Sequence, residues 1–412
     1  MKLAMRVISF CHYLQGPAAT QYLADMGADV VKIEPLGGAF ERRWSGGDSY
    51  VEGVSAFMLS ANRNKRSLAI DLKNPEAREV MLRLIDGADV IVENFRPGVL
   101  DRLGFGYEAI RARRPDIIYA SATGLGADGP DAGRPGQDLL MQARSGLVAA
   151  TGSREAGPTI VGAAVVDQHG AALLAMGVLA AFVRKLQTGE GTRVEASLFQ
   201  AGVDLQSEAI TKYFARRAEG DVMSRGPNVG SWYHDAPYGA YAIADGHVVL
   251  SMNDPGKLAQ ALDSEALRAL VEIDRYAERE RYAAAVAREL AGRTFADLSA
   301  RFDAHGIWHE RVQSYDDLVQ DRQAQHLGVF THCRVGDSEA RLVAHPLRYD
   351  GAVPGLRTMP LEPGCDSREI LAEAGFRADE IERLAAQGVI RAPVSGEAGQ
   401  MSANQEEKAS SR

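Results

Sequence analysis

Residues 161–177 read VGAAVVDQHGAALLAMG, with one acidic side chain, Asp167, where an apolar, strand-like run hands over to a small-residue helical pattern. Carboxylates are costly to desolvate and are rarely buried without partners. Two roles fit the position. Asp is a favoured helix N-cap, accepting from a backbone N–H of the first turn. Alternatively, the carboxylate is a nucleophile or general base held at a rigid strand end, able to attack an activated acyl group and form an anhydride. The local pattern leaves both open. Gly170, Ala171, Ala172, Ala175 and Gly177 would let a partner element approach closely. His169 reads as a packed or surface imidazole rather than a base. Asp138, in GRPGQDLLMQ, fits a cap and a second active-site carboxylate equally well. Cys11 and His12 are adjacent but lack a third member that would make them a nucleophile and base.

Cations form the second group. Arg63, Lys65, Arg66 and Lys73 lie within residues 62–74, Arg96 and Arg102 in ENFRPGVLDRLGF, and Arg134 in GRPGQD. Taken singly, each reads as solvated surface. Several nevertheless fall in loops after strands, where dispersed point charges and Arg forks suit a ligand with several phosphates. The sequence holds no G-x-G-x-x-G after its first strand and no G-x-x-x-x-G-K-[ST], H-E-x-x-H, C-x-x-C or G-x-S-x-G. Nicotinamide, P-loop, zinc and serine-hydrolase chemistries therefore lack their strongest signatures, and no metal ligands are expected.

The elements that must position these residues alternate. Strands are predicted over 5–10, 29–34, 89–94 and 116–124, and a helix over 17–27. A second helix follows Asn74 as N-cap and Pro75 at its first position, with Val80, Met81, Leu84 and Ile85 on one face. Such alternation implies an α/β fold with a mostly parallel sheet, whose ligands bind at the carboxyl ends of the strands. Those ends read FCHYLQGP, KIEPLGG, ENFRPG and SATGLGADGP. Residues 224–239 read as a linker into a smaller α+β unit, which contains a hairpin across Asp245-Gly246. A polar tail, 393–412, is expected to be disordered.

Composition narrows the function classes. The chain has 412 residues, 46% hydrophobic, and a net charge of −9 with no basic run, which argues against a nucleic-acid partner. Three scattered cysteines make neither a disulfide framework nor a zinc site and suit a reducing compartment. With no secretory leader and no uninterrupted apolar run approaching ~18 residues, a cytoplasmic protein without a membrane partner is expected.

Six segments in order, LQGPAATQYLADMGADVVKIEP, NRNKRSLAIDLK, DVIVENFRPGVLDRLGFGYE, RPDIIYASATGLGADGP, GAAVVDQHGAALLAMGVLAAF and TGEGTRVEASLFQA, resemble the class III CoA-transferases. That family includes formyl-CoA and carnitine CoA-transferases and the α-methylacyl-CoA racemases. The resemblance continues through PYGAYAIADGHVVLSM to EILAEAGFRADEIERLAAQGVI. It implies a Rossmann-like large domain of residues 1–223 and 329–392, a small domain within 224–328, and an intertwined homodimer. It places the catalytic Asp on Asp167. It places CoA contacts on Leu14, Gln15 and Gly16, on Ile70 and Lys73, on Asn94, Phe95 and Arg96, on Arg102 and on Arg134, with Gln137 and Asp138 in the substrate pocket. CoA is then a substrate, no cofactor is permanently bound, and the partners are an acyl-CoA and a carboxylic acid. The implied route runs through an aspartyl anhydride and an aspartyl-CoA thioester.

The racemase branch carries a His in a G-H-D segment where this chain has Gly136-Gln137-Asp138. Gln has no accessible pKa near neutrality and cannot shuttle a proton across an α-carbon. A transferase acting on a small organic acid, dicarboxylic acids among the candidates, is therefore expected ahead of a racemase or isomerase using Asp167 as base. A CoA-binding protein without turnover is disfavoured by the intact Asp167. Gly364-Cys365-Asp366-Ser367, and the lack of consecutive glycines in the small domain, depart from the relatives' pattern, so their acid specificity does not carry over.

Overall fold

The computed structural model describes residues 2–216 and 221–393, so the expected disordered tail, beyond residue 393, lies outside the described residues. Six parallel strands form the main sheet: β1 (Arg6–Phe10), β2 (Asp29–Glu34), β3 (Arg66–Ile70), β4 (Val90–Glu93), β5 (Ile118–Thr123) and β6 (Thr192–Ser197). Their order is β6-β5-β4-β1-β2-β3, with Ile390–Arg391 added antiparallel beyond β3. The Val/Ile-rich runs of β1, β2 and β4 are buried, as parallel strands covered on both faces require. Strand order reverses between β1 and β4, the switch point beside which open α/β sheets place their ligand crevice, at the loops following these two strands.

Helices α1 (Gln15–Asp25) and α3 (Val165–Thr188) cover one face. Helix α2 (Pro75–Asp86) covers the other. Its expected cap and face are present: Asn74 Oδ1 accepts from the Glu76 N–H at 3.0 Å, and Val80, Met81, Leu84 and Ile85 are buried. By length and composition α3 could cross a membrane. Here Ala171, Leu174, Ala175 and Val178 are built into the core between the helix and the sheet.

Three local expectations change. No strand precedes Asp167. The Gln142 amide takes that ladder's place: Val161 N–H donates to Gln142 Oε1 at 3.0 Å, and Gln142 Nε2 donates to the Val161 and Ala163 carbonyls. Strand β3 arises inside the cation-rich stretch, because its charges have internal partners. Arg66 bonds Asp29 and Glu373, and Lys65 Nζ donates to the Pro17 and Ala61 carbonyls and to Asn62 Oδ1. Strand β6 was also not among the predicted strands.

Contacts divide the chain into two compact units. One holds, among the described residues, 2–138, Val165–Ala201 and 323–393; the other holds Leu139–Ala164 and Gly202–Arg322 with its masked interior excepted. Residues 139–164, 202–216 and 221–223, which the sequence reading put in the large domain, group by contacts with the second unit. The second unit carries an antiparallel sheet of Gly239–Ile243, Gly246–Leu250 and His309–Arg311, with the expected hairpin. Its core is built on Tyr241, Leu250, Tyr282, Val286 and Phe302.

Candidate active site

Asp167 lies in the first turn of α3, but it is not that helix's cap. Asp138 is: its Oδ1 accepts from the backbone N–H groups of Val166 at 2.8 Å and Asp167 at 3.0 Å. One carboxylate therefore satisfies two of the turn's orphan donors, so the Asp167 side chain is not engaged as their cap. The loop bearing Asp138 is held against the end of β5 by two glycines. A Cβ on Gly136 would stand 2.3 Å from the Gly124 Cα, and one on Gly124 would stand 2.5 Å from the Gly136 Cα. Only paired glycines permit that approach.

Burial pushes the Asp167 carboxyl up to about 7, with the Asp138 carboxylate adding to the rise; a hydrogen bond from the Gln15 backbone N–H opposes them. Gln15 is the first residue of α1, directly after the loop that follows β1, so the start of α1 and the start of α3 meet at this carboxyl. The missing Cβ of Gly170 makes room for Gln15, whose side-chain Nε2 would lie 2.8 Å from it. That Nε2 is buried without a hydrogen-bond partner. A buried amide donor without a partner is costly, and here it lies beside a helix turn that bears an ionisable carboxyl.

The two crevice loops are clamped together. Asn94 Oδ1 accepts from the His12 N–H at 3.0 Å, and Asn94 Nδ2 donates to the His12 carbonyl at 2.7 Å. A Cβ on Gly16 would strike Cys11 Sγ at 2.6 Å and approach Asn94. Of the residues singled out from sequence, Gln15, Gly16, Asn94, Asp138 and Asp167 are thus brought into one network, with Leu14 between the clamped residues. Phe95 packs its ring on His12, 5.1 Å between centroids. Burial pushes the Cys11 thiol up to about 12, which disposes of a thiolate nucleophile.

The cations separate into two groups. Arg63, Lys65 and Arg66 are structural: the side chains of Arg63 and Asp25 form an ion pair of 2.6 Å, and Lys65 is fully buried. Lys73, Arg96, Arg102 and Arg134 are exposed, Arg134 beside Asp131. Lys73 follows β3, two strands from β1, and so lies about 10 Å across the sheet from the crevice. The Ile70 side chain is in the core, leaving only its backbone at the strand end. Gln137 is exposed next to Asp138. Sequence reasoning missed a cavity of about 130 Å³ beside Arg96, lined by Glu93, Asp101, Tyr107, Tyr119 and Arg193. Burial raises the Glu93 carboxyl there. Its lining is spread over about a hundred residues of chain, which no local spacing reveals.

The Asp138 arrangement makes a prediction. Asp138→Asn keeps an oxygen for the two N–H donors but removes the charge facing Asp167, so the apparent pKa of Asp167 should fall. Asp138→Ala loses the cap as well, costing about 1–2 kcal/mol of stability. Titrating activity against pH for the Asn variant, with denaturant unfolding of both, separates the two effects. An unshifted pH profile in the Asn variant would remove Asp138 from this electrostatic role.

A pair of carboxyls and a buried amide donor at one helix start are groups that could attack an acyl carbon and steady the oxyanion. Comparisons with known proteins give the family. The family model described as CoA-transferase family III matches residues 4–367. The succinate–glutarate CoA-transferase of Agrobacterium fabrum is 32% identical over 92% of this chain and 96% of its own. The succinyl-CoA:mesaconate CoA-transferase of Haloarcula hispanica is 38% identical over 60% of this chain and 63% of its own. A crystal structure of a CaiB/BaiF family protein from Brucella suis superposes with a TM-score of 0.78 at 27% identity, over 90% of this chain and 98% of that one. The chain belongs to CoA-transferase family III and is an enzyme of that class, moving CoA between carboxylates.

Proposed function

We propose that the protein transfers CoA from an acyl-CoA donor to a small organic acid, dicarboxylic acids included, through covalent intermediates on Asp167. The observation that carries this reading is a half-buried carboxyl, relieved of capping duty by Asp138 and aligned by the Gln15 N–H.

An Asp167 carboxylate oxygen attacks the donor thioester carbon; the C–S bond breaks, giving an aspartyl–acyl anhydride and CoA thiolate. The thiolate attacks the aspartyl carbonyl, forming the aspartyl-CoA thioester and releasing the donor acid. The acceptor carboxylate then attacks that thioester, giving a new anhydride and thiolate. Attack of the thiolate on the acceptor's carbonyl yields its CoA ester and restores the Asp167 carboxylate. Every step exchanges acyl groups between oxygen and sulfur, so positioning and oxyanion stabilisation suffice. The buried Gln15 Nε2 is a ready donor for a developing oxyanion.

CoA is a substrate and no resident cofactor is required. Loops 14–16 and 94–96 would carry its pantetheine and phosphates, with Lys73, Arg102 and Arg134 as outlying cations and Gln137 facing the acid. The homodimer draws support from α3, whose outer side leaves Met176, Val183 and Leu186 more than half exposed; a second copy of this chain would cover them. The cysteine usage is what supports the proposed cytoplasmic location.

Incubating the protein with an acyl-CoA, trapping with hydroxylamine or borohydride and mapping by mass should place the modification on Asp167. Absence of an adduct together with exchange of the α-proton in heavy water would favour a racemase using Asp167 as base.

A further inference from the structure

Resting on the proposed transfer chemistry, we infer that the acid handled by this enzyme carries a bulky apolar group, aromatic or branched. Three exposed rings beside the crevice, Tyr13, Phe40 and Trp44, receive it.

The rings are contiguous. Tyr13 and Phe40 have centroids 5.0 Å apart, and Phe40 and Trp44 stack at 5.5 Å. They are 45%, 40% and 49% exposed, unusual for three adjoining large aromatics. Below Trp44 the row is backed by Phe57, and beyond Tyr13 it continues through His12 to Phe95.

The row is held in place by buried charge. Tyr13 has φ of +62°, a left-handed conformation that costs a non-glycine residue free energy and needs the surroundings to enforce it. A fully buried ion pair does so: Lys32 Nζ bonds Glu41 Oε1 at 2.6 Å, and the two side chains are 1% and 0% exposed. The Lys32 ammonium also bonds the Cys11 carbonyl at 2.8 Å, while Glu41 Oε2 accepts from the Tyr13 N–H at 3.3 Å. The pair thus grips the peptide groups on both sides of His12. Glu41 also adjoins Phe40 in sequence, so one residue fixes the Tyr13 backbone and the element that carries the next ring. A strained backbone enforced by a buried ion pair, with its ring left in solvent, is expected of a contact surface rather than of packing.

Position selects the occupant. Tyr13 stands in the same short segment between β1 and α1 as Gln15, whose backbone N–H meets the Asp167 carboxyl, so the row rises from the segment that also reaches the proposed reacting centre. A second carboxylate on the acid would need a cation with donors to spare. In the same short helix, Arg42 spends its donors on Glu34 and on the Pro360 and Leu361 carbonyls. Arg43, exposed next to Trp44, is the group that a dicarboxylate would use instead, and the test includes it.

With the full-length protein and one acyl-CoA donor, kcat/KM is measured for phenylacetate and 3-methylbutanoate against succinate and glutarate. The wild type should favour the apolar acids at least about tenfold. Trp44→Ala and Tyr13→Ala should each collapse that ratio by about tenfold, the worth of one aromatic contact, and Trp44→Phe should restore most of it. A wild type that prefers dicarboxylates, with Arg43→Gln losing them selectively, overturns the inference and leaves the transferase standing. So does an unaltered ratio in the Ala variants. A KM for the CoA donor raised in the Ala variants, and raised equally for a second donor with a different acyl group, would assign the rings to CoA. A changed oligomeric state at constant ratio would assign them to a second copy. Either result overturns the inference. No transfer to any acid, with no adduct on Asp167, overturns the proposed function and this inference with it.

Discussion

Asp167→Ala is expected to lower kcat by about 10⁴-fold while the Kd for CoA stays within about threefold of wild type. The size of the loss follows from what the carboxylate does. Without it there is no covalent route, and direct attack of a dilute acid on a thioester lacks the pre-paid orientation worth several kcal/mol. Affinity should persist because, apart from the Gln15 N–H bond, what holds the crevice loops is independent of Asp167. The Asn94–His12 clamp, the Gly16–Cys11 packing and the Lys32–Glu41 pair involve none of its atoms. Stopped-flow turnover with isothermal titration of CoA checks both halves. Parallel loss of affinity and rate would contradict the nucleophile role.

The second large effect is on pH. With its pKa raised to about 7, Asp167 is protonated over much of the mildly acidic range, and the acid form cannot attack. Acylation measured in single turnover should therefore rise about tenfold per unit up to pH ~7 and then level, leaving about 1% of the plateau at pH ~5. The same shift has a stability consequence of defined sign. Unfolded, the group titrates near 3.8; folded, near 7. Between these values the folded state keeps a proton that the unfolded state has lost, so stability declines as pH rises through that window. Above it a constant penalty of about 4 kcal/mol remains. Asp167→Asn, which cannot ionise, should thus be more stable than wild type at pH 8 by a few kcal/mol and not at pH 3. Denaturant midpoints at the two values test this; a gain independent of pH would point to packing instead.

Much of the architecture was legible because it rests on local rules. Asn74-Pro75 starts a helix wherever it lies, and a period of 3.6 put Val80, Met81, Leu84 and Ile85 on one side. Alternating strands and helices implied a parallel sheet, and the carboxyl-end loops implied the site's edge. What local rules missed was partner choice. Residues 62–74 read as surface cations. Yet Arg63 meets Asp25, and Arg66 meets Asp29 and Glu373, partners that adjoining strands and a distant helix supply. The strand β3 was hidden by the same charges. Residues 161–164 looked like a strand because they are apolar, but a side-chain amide nineteen residues away satisfies their backbone.

The sequence alone carried the resemblance to the family and the parallel α/β layout, and it singled out Asp167 as the candidate carboxylate. It could not say whether Asp167 caps its helix, since both roles want an Asp in the first turn. Only the tertiary structure decided that, by bringing Asp138 across a Gly124–Gly136 contact to take the two N–H groups. A helix terminus has a fixed number of orphan donors. Once a distant residue satisfies them, the local carboxylate is released, and burial rather than sequence sets its proton affinity.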